Sequence, residues 1–109
     1  MASTFRNILQ SEIGTSVATP VLTTGSTAKT TVIGLSLTNL TGGIVLASIL
    51  IDDGSSSAYY MKDVVVPPNQ SLRVINGGEK LILGSSTDVF ISSNVDNSLD
   101  LVMSFVEIT

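Results

Sequence analysis

From residue 13 onward, short runs of Val, Ile, Leu, Thr and Ser alternate with turn residues, and within the runs the apolar positions recur with a period of two. Thr30 to Asn39 is the clearest case. Ile33, Leu35 and Leu37 fall on one face, and Val32, Gly34, Ser36 and Thr38 on the other. Asn39-Leu-Thr-Gly42-Gly43 then turns the chain into Ile44–Ile51, a continuous apolar run that suits a strand covered on both faces. Asp52-Asp53-Gly54-Ser55-Ser56-Ser57 reads as a loop. Ala58 to Val66 is the next strand, stopped by Pro67-Pro68 and the turn residues Asn69 and Gln70. Ser71–Ile75 follows, and Asn76-Gly77-Gly78 is a strong turn signal. Lys80–Leu83, Asp88–Ser93 and Ser98–Ile108 complete the series, while Val17 to Thr24 precedes it as a more polar strand whose Pro20 points to a sheet edge.

About eight short strands, spaced roughly 8–12 residues apart, predict a sandwich or barrel. The expected fold is all-β: an antiparallel β-sandwich, jelly-roll-like, with a short N-terminal arm. An immunoglobulin-like order competes, since one sequence does not fix strand order. Residues 1–12 form a separate segment before the domain at 13–109. In them Phe5, Ile8 and Leu9 fall at helical spacing with Ile13, and Ser3 or Thr4 would cap a short helix. A free helix of this length is marginal, so the segment is either an arm ordering on a neighbour or an element tucked under the domain.

Composition narrows what such a domain can do. At 109 residues there is room for one core. With 43% apolar and only 13% charged residues, the chain is too apolar to stay disordered and sparsely charged for a solitary soluble domain. Some apolar surface is therefore expected to be covered by a partner, the alternative being an exterior supplied by the 16 Ser and 12 Thr. The formal charge of −4 and pI near 4.3 oppose phosphate-backbone binding. Only Arg6, Lys29, Lys62, Arg73 and Lys80 are basic, and they are scattered, so no nucleic acid partner is expected. The longest apolar run is too short to span a bilayer, and the N-terminus lacks the apolar core of a signal peptide. Neither a membrane partner nor export through a leader is expected.

Histidine, cysteine and tryptophan are all absent. That removes the imidazole base, the thiolate nucleophile and every triad built on them. No enzyme activity, cofactor or catalytic residue is expected. Asp52-Asp53 is a carboxylate pair that would suit Ca²⁺, but it lacks the spaced acidic series and downstream Glu of a calcium loop. A solvated hairpin tip explains it, and no metal site is expected. Carboxylate catalysis on sugars would need aromatic walls, and Phe5, Tyr59, Tyr60, Phe90 and Phe105 are the only aromatics. Tyr59 and Tyr60, as strand neighbours, point to opposite faces. Tyr59 shares a face with Met61 and is expected in the core; Tyr60 shares one with Lys62 and is expected on the surface as an interface anchor. Asn39-Leu-Thr41 and Asn69-Gln-Ser71 match the glycosylation sequon but read more simply as turns. Gly42-Gly43 and Gly77-Gly78 form no nucleotide fingerprint, because no helix follows either pair.

Val32-Ile33-Gly34-Leu35-Ser36-Leu37-Thr38-Asn39 and Tyr60-Met61-Lys62-Asp63-Val64-Val65-Val66-Pro67-Pro68 resemble small virion structural proteins of tailed bacteriophages, cyanophages especially. So do Ser71-Leu72-Arg73-Val74, Gly77-Gly78-Glu79-Lys80 and the ending Val106-Glu107-Ile108-Thr109. The resemblance spans roughly residues 30–109 and implies a non-enzymatic particle component: a capsid decoration (cement) protein, or a neck, collar, tail or fibre protein. It carries no functional residues to transfer. A cement protein would act as a homo-oligomer, with a trimer expected, against the major capsid protein; it would be made in the host cytoplasm and end in the virion. Phe5, Ile8 and Leu9 are the expected anchoring arm and Tyr60 an expected interface residue. A carbohydrate-binding module using Tyr60 and the Asp52–Ser57 loop is the alternative from another class.

Overall fold

A computed structural model describes residues 3–76 and 79–109. Nine strands account for its regular structure: β1 (Ser3–Ile13), β2 (Leu22–Thr23), β3 (Lys29–Asn39), β4 (Val45–Asp52), β5 (Ser57–Val66), β6 (Ser71–Ile75), β7 (Leu81–Leu83), β8 (Asp88–Ser93) and β9 (Leu99–Ile108). They form two antiparallel sheets. The first has the order β1-β9-β3-β6, with β7 beside β3 as well; the second has the order β2-β8-β4-β5. The pairing is nested: β1 with β9, β2 with β8, β3 with β6, and β4 with β5. An immunoglobulin-like sheet would instead set the first strand beside the second. The expected turn at Asn76-Gly77-Gly78 lies in part outside the described residues.

The core lies between the inward faces. Leu37, Val45, Ala47, Ile49, Val66 and Leu99 are wholly buried, joined by Leu101 and Met103. Each such Leu or Ile is worth roughly 1.5–3 kcal/mol relative to exposure. β9 alternates without a break, burying Leu99, Leu101, Met103 and Phe105 while Asp100, Val102, Ser104 and Val106 face outward. In β4, Val45, Ala47 and Ile49 are buried while Leu46, Ser48, Leu50 and Ile51 are half-buried, less covered than its apolar run predicts.

Two expectations fail for one reason. In β3 the register steps from Val32 opposite Phe105 to Gly34 opposite Ser104, so Ile33 is an extra residue. This β-bulge resets the parity. Val32 faces inward with Leu35 and Leu37, whereas Ile33, expected beside them, is only half-buried. In β5, Leu50 lies opposite Tyr59 and Ile49 opposite Met61, leaving Tyr60 as the extra residue. Tyr59, expected in the core, therefore faces outward at 53% exposure.

The segment 1–12, expected as an arm or short helix, lies in part outside the described residues; from Ser3 onward it is not helical but belongs to strand β1. Its partner is β9, in regular register from Ser3 opposite Ile108 to Gln10 opposite Leu101. The strand is rooted at one end. Ile13 enters the core, its carbonyl accepts the Ser98 N–H at 3.0 Å, and the Asp100 carboxylate accepts the Glu12 N–H at 3.1 Å. Gly14 is required by close approach: a Cβ there would stand 3.2 Å from the Asp96 Cα.

Candidate interaction surface

The outward face of the first sheet is built in cross-strand rows. Phe5, Val106, Thr31 and Ile82 stand opposite one another across β1, β9, β3 and β7. Leu9, Val102, Ser36 and Arg73 form a second row across β1, β9, β3 and β6. Between them runs a row of small or polar residues, Asn7, Ser104 and Gly34. Phe5 is 77% exposed, Ile82 75% and Leu9 70%, with Val102 about half exposed. The low middle row becomes a shallow groove of about 430 Å³, with Ile33, Ser36, Ser71, Arg73 and Val102 among its walls. Exposed apolar area arranged like this is what a covering partner would remove from water.

β1 is open on its inward side too. Two residues of β2 cannot cover eleven of β1, so a cleft of about 630 Å³ opens between the sheets beside Ile8, Leu22 and Phe105. Arg6 and Glu107 line it and form an ion pair at 3.5 Å.

On the second sheet, β5 is bulged a second time at Asp63, which adopts φ of 51°. The Ser48 hydroxyl accepts the Asp63 N–H at 3.0 Å and holds the bulge. Lys62 Nζ lies 4.7 Å over the Tyr59 ring, a cation–π contact on the solvent side. Tyr60 is 37% exposed, and burial together with the nearby Glu79 carboxylate raises its phenol above the ordinary value. Tyr59, Tyr60, Ile51 and Ala58 line a hollow of about 320 Å³ with Asp53 and Ser56 of the β4–β5 loop.

That loop is a hairpin tip closed by its own carboxylates. Asp52 accepts the Gly54 N–H at 2.8 Å; Asp53 accepts the Ser55 and Ser56 N–H groups at 3.0 and 2.8 Å and the Ser55 hydroxyl at 3.1 Å. These donors hold the Asp53 carboxyl below its ordinary pKa, the Ser56 N–H contributing most. Gly54 has φ of 94°, open to glycine at no steric cost. Among the described residues no three acidic side chains converge as a metal site would require. Among them, too, no helix is long and apolar enough to cross a membrane.

The two sequons fold as turns. Asn39 is buried; its amide nitrogen donates to the Gly43 and Val66 carbonyls at 2.8 and 3.0 Å, and its oxygen accepts the Thr41 N–H and hydroxyl, both at 2.8 Å. Asn69 occupies a left-handed turn position, φ 53°, and donates its N–H to the Thr41 carbonyl.

Of the residues singled out from sequence, the structure brings Phe5 and Leu9 together on one face. Ile8 points the other way, half-buried against the core, and Tyr60 belongs to the far edge of the other sheet. They are not one site. Val102 and Ile82 were missed; Val102 and Val106 were legible as the off-phase apolar positions of β9.

The class defined by these features is a nine-stranded, two-sheet antiparallel β-sandwich. In fold the chain is similar to a pentameric capsid protein isolated from metagenomic phage sequences, with a TM-score of 0.47, 19% identity and 90% of this chain covered. The match spans 59% of that protein's length. No family model matches the chain, and no curated protein matches it in sequence.

Proposed function

We propose that this chain is a non-enzymatic structural subunit of a phage particle, and more specifically a capsid decoration protein that self-associates and binds the capsid lattice. The observation that carries the reading is the outward face of the first sheet, where Phe5, Leu9, Val102 and Ile82 stand exposed in rows. Association by apolar burial and backbone pairing requires no imidazole, thiolate or metal. The sequence phrases of β3, β5 and β9 support the same class. The nested pairing supports a jelly-roll-like winding, an architecture shared by viral capsid and lectin domains; a fold used by both leaves the choice to the site.

Quantitative mass spectrometry of purified virions tests the reading. A copy number equal to the major capsid subunit, or a simple fraction of it, supports decoration; a handful per particle moves the protein to the neck, tail or fibres. Absence from the particle overturns both. One observation favours a second reading: the hollow that joins Tyr60 to Asp53 and Ser56 is where a carbohydrate-binding module would seat a sugar. A glycan array with no hits retires it.

A further inference from the structure

Four strand edges bound the two sheets, and three of them are guarded. β2 is two residues long. The β6–β7 edge is split into strands of five and three residues. β5 is bulged twice, carries Lys62 and Asp63, and stops at Pro67. Short length, bulges, charge and proline are the devices that stop a sheet edge from accepting another strand. β1 has only one of them between Ser3 and Gln10, the charge of Arg6: its register against β9 is unbroken there, and it contains no proline and no lysine. That arginine is already neutralised by Glu107.

The outward-facing side chains along this edge, Ser3, Phe5, Asn7, Leu9 and Ser11, keep the same order of polar and apolar positions in both directions. With an antiparallel copy centred on Asn7, Phe5 of each strand lies opposite Leu9 of the other, Asn7 opposite Asn7, Thr4 opposite Gln10, and Arg6 opposite Ile8. Aromatic–aliphatic cross-strand pairs are favourable, and here two form at the most exposed apolar positions of the strand. The two Arg6 side chains fall diagonally, each beside its own Glu107, so the junction carries no net charge from them.

We propose that two copies of this chain join by antiparallel pairing of their β1 edges about a two-fold axis at Asn7, giving one continuous sheet across both. The proposal deepens the reading of the chain as a self-associating subunit and names the contact. Its occupant is fixed by the edge: a second β1 satisfies the free backbone groups, covers Phe5 and Leu9 with each other, and meets no like charge directly opposite.

The chain has no cysteine, so a single introduced thiol reports cleanly. Directly opposed residues have Cα atoms about 4.5–5.5 Å apart, within the span of a disulfide. Oxidised Asn7→Cys is therefore expected to run as a covalent pair of 11.3 kDa chains. Gln10→Cys should not link, because the two thiols would lie six positions apart, about 20 Å. Sedimentation gives a second readout: the unmodified protein should self-associate, and Leu9→Lys should weaken that association about tenfold or more while the circular dichroism stays that of a folded β protein. Three results each overturn the pairing: Asn7→Cys remaining single while folded, Gln10→Cys linking equally well, or an association that Leu9→Lys leaves unchanged. If the unmodified protein sediments as a single chain at about 100 μM, the idea also fails. None of these depends on virion composition, so failure here is distinct from failure of the particle assignment.

Discussion

β1 and β5 are the long edge strands of the two sheets, nearly equal in length, and they are built in opposite ways. β5 breaks its register at Tyr60 and Asp63, presents Lys62 and Asp63, and turns its backbone aside. β1 keeps its register along β9 from Ser3 to Gln10 and enters the core at Ile13, with Phe5 and Leu9 bare on one face. A sheet edge interrupted by bulges and charge and one left regular, in the same small domain, show that an open backbone edge is not the general condition of this fold.

The sharpest way to break the contrast is at the root of β1. Ile13→Ala removes a buried side chain where the open strand enters the core, and denaturant unfolding should show a loss of about 2–5 kcal/mol. Next in size is the guard on β5. Ser48→Ala deletes the acceptor of the Asp63 N–H, and is expected to cost about 1 kcal/mol and to make the protein more prone to aggregate in light scattering. Thr30→Val acts in the other direction and at similar size. Among the described residues the buried Thr30 hydroxyl has no hydrogen-bond partner, so its replacement by a methyl group should raise the unfolding midpoint, a gain in stability of about 1 kcal/mol. Leu9→Ser sharpens the comparison by its smallness: on an exposed position of β1 it should change the stability of the single chain by no more than about 0.5 kcal/mol.

The hairpin tip that leads into β5 gives the smallest expected effect. The folded Asp53 pKa is lowered by the Ser56 and Ser55 donors, so its contribution is fully present above the unfolded value of about 3.9. It is lost as pH falls through the lower folded value. Asp53→Asn should therefore lose less stability than the unmodified protein between neutral pH and pH 3 in a urea titration.

The strands that kept their period were legible in the sequence. Asp88–Ser93 appears as β8 with the bounds expected of it, and β9 within a residue of its expected start. What escaped was set by partners. A bulge depends on the register between two strands, and nothing in Val32-Ile33-Gly34 or Tyr59-Tyr60-Met61 announces the extra residue that turned Ile33 and Tyr59 outward. The N-terminal segment escaped differently. Phe5 and Leu9 are four apart, a spacing that places them on one face of a helix and equally on one face of a strand. The pairing offered by β9 decides between the two. Half of the candidate surface was therefore visible as residues without being visible as a surface: Phe5 and Leu9 were named, but only the rows across β9, β3 and β7 join them to Val102 and Ile82.

The buried Asn39 amide sets a condition on how the protein can be made. Oligosaccharide transfer to Asn-Leu-Thr acts on an unfolded, translocating chain, and once a sugar is on the nitrogen only one N–H remains where the fold uses two. The bond to Gly43 or to Val66 is then lost, and a hydrophilic bulk must fit where the side chain is 1% exposed. Glycan and fold exclude each other at this residue, and whichever arrives first wins. Secretion through a eukaryotic host should yield misfolded, glycosylated chains, while Asn39→Gln is no remedy, since a longer side chain cannot repeat the same four bonds.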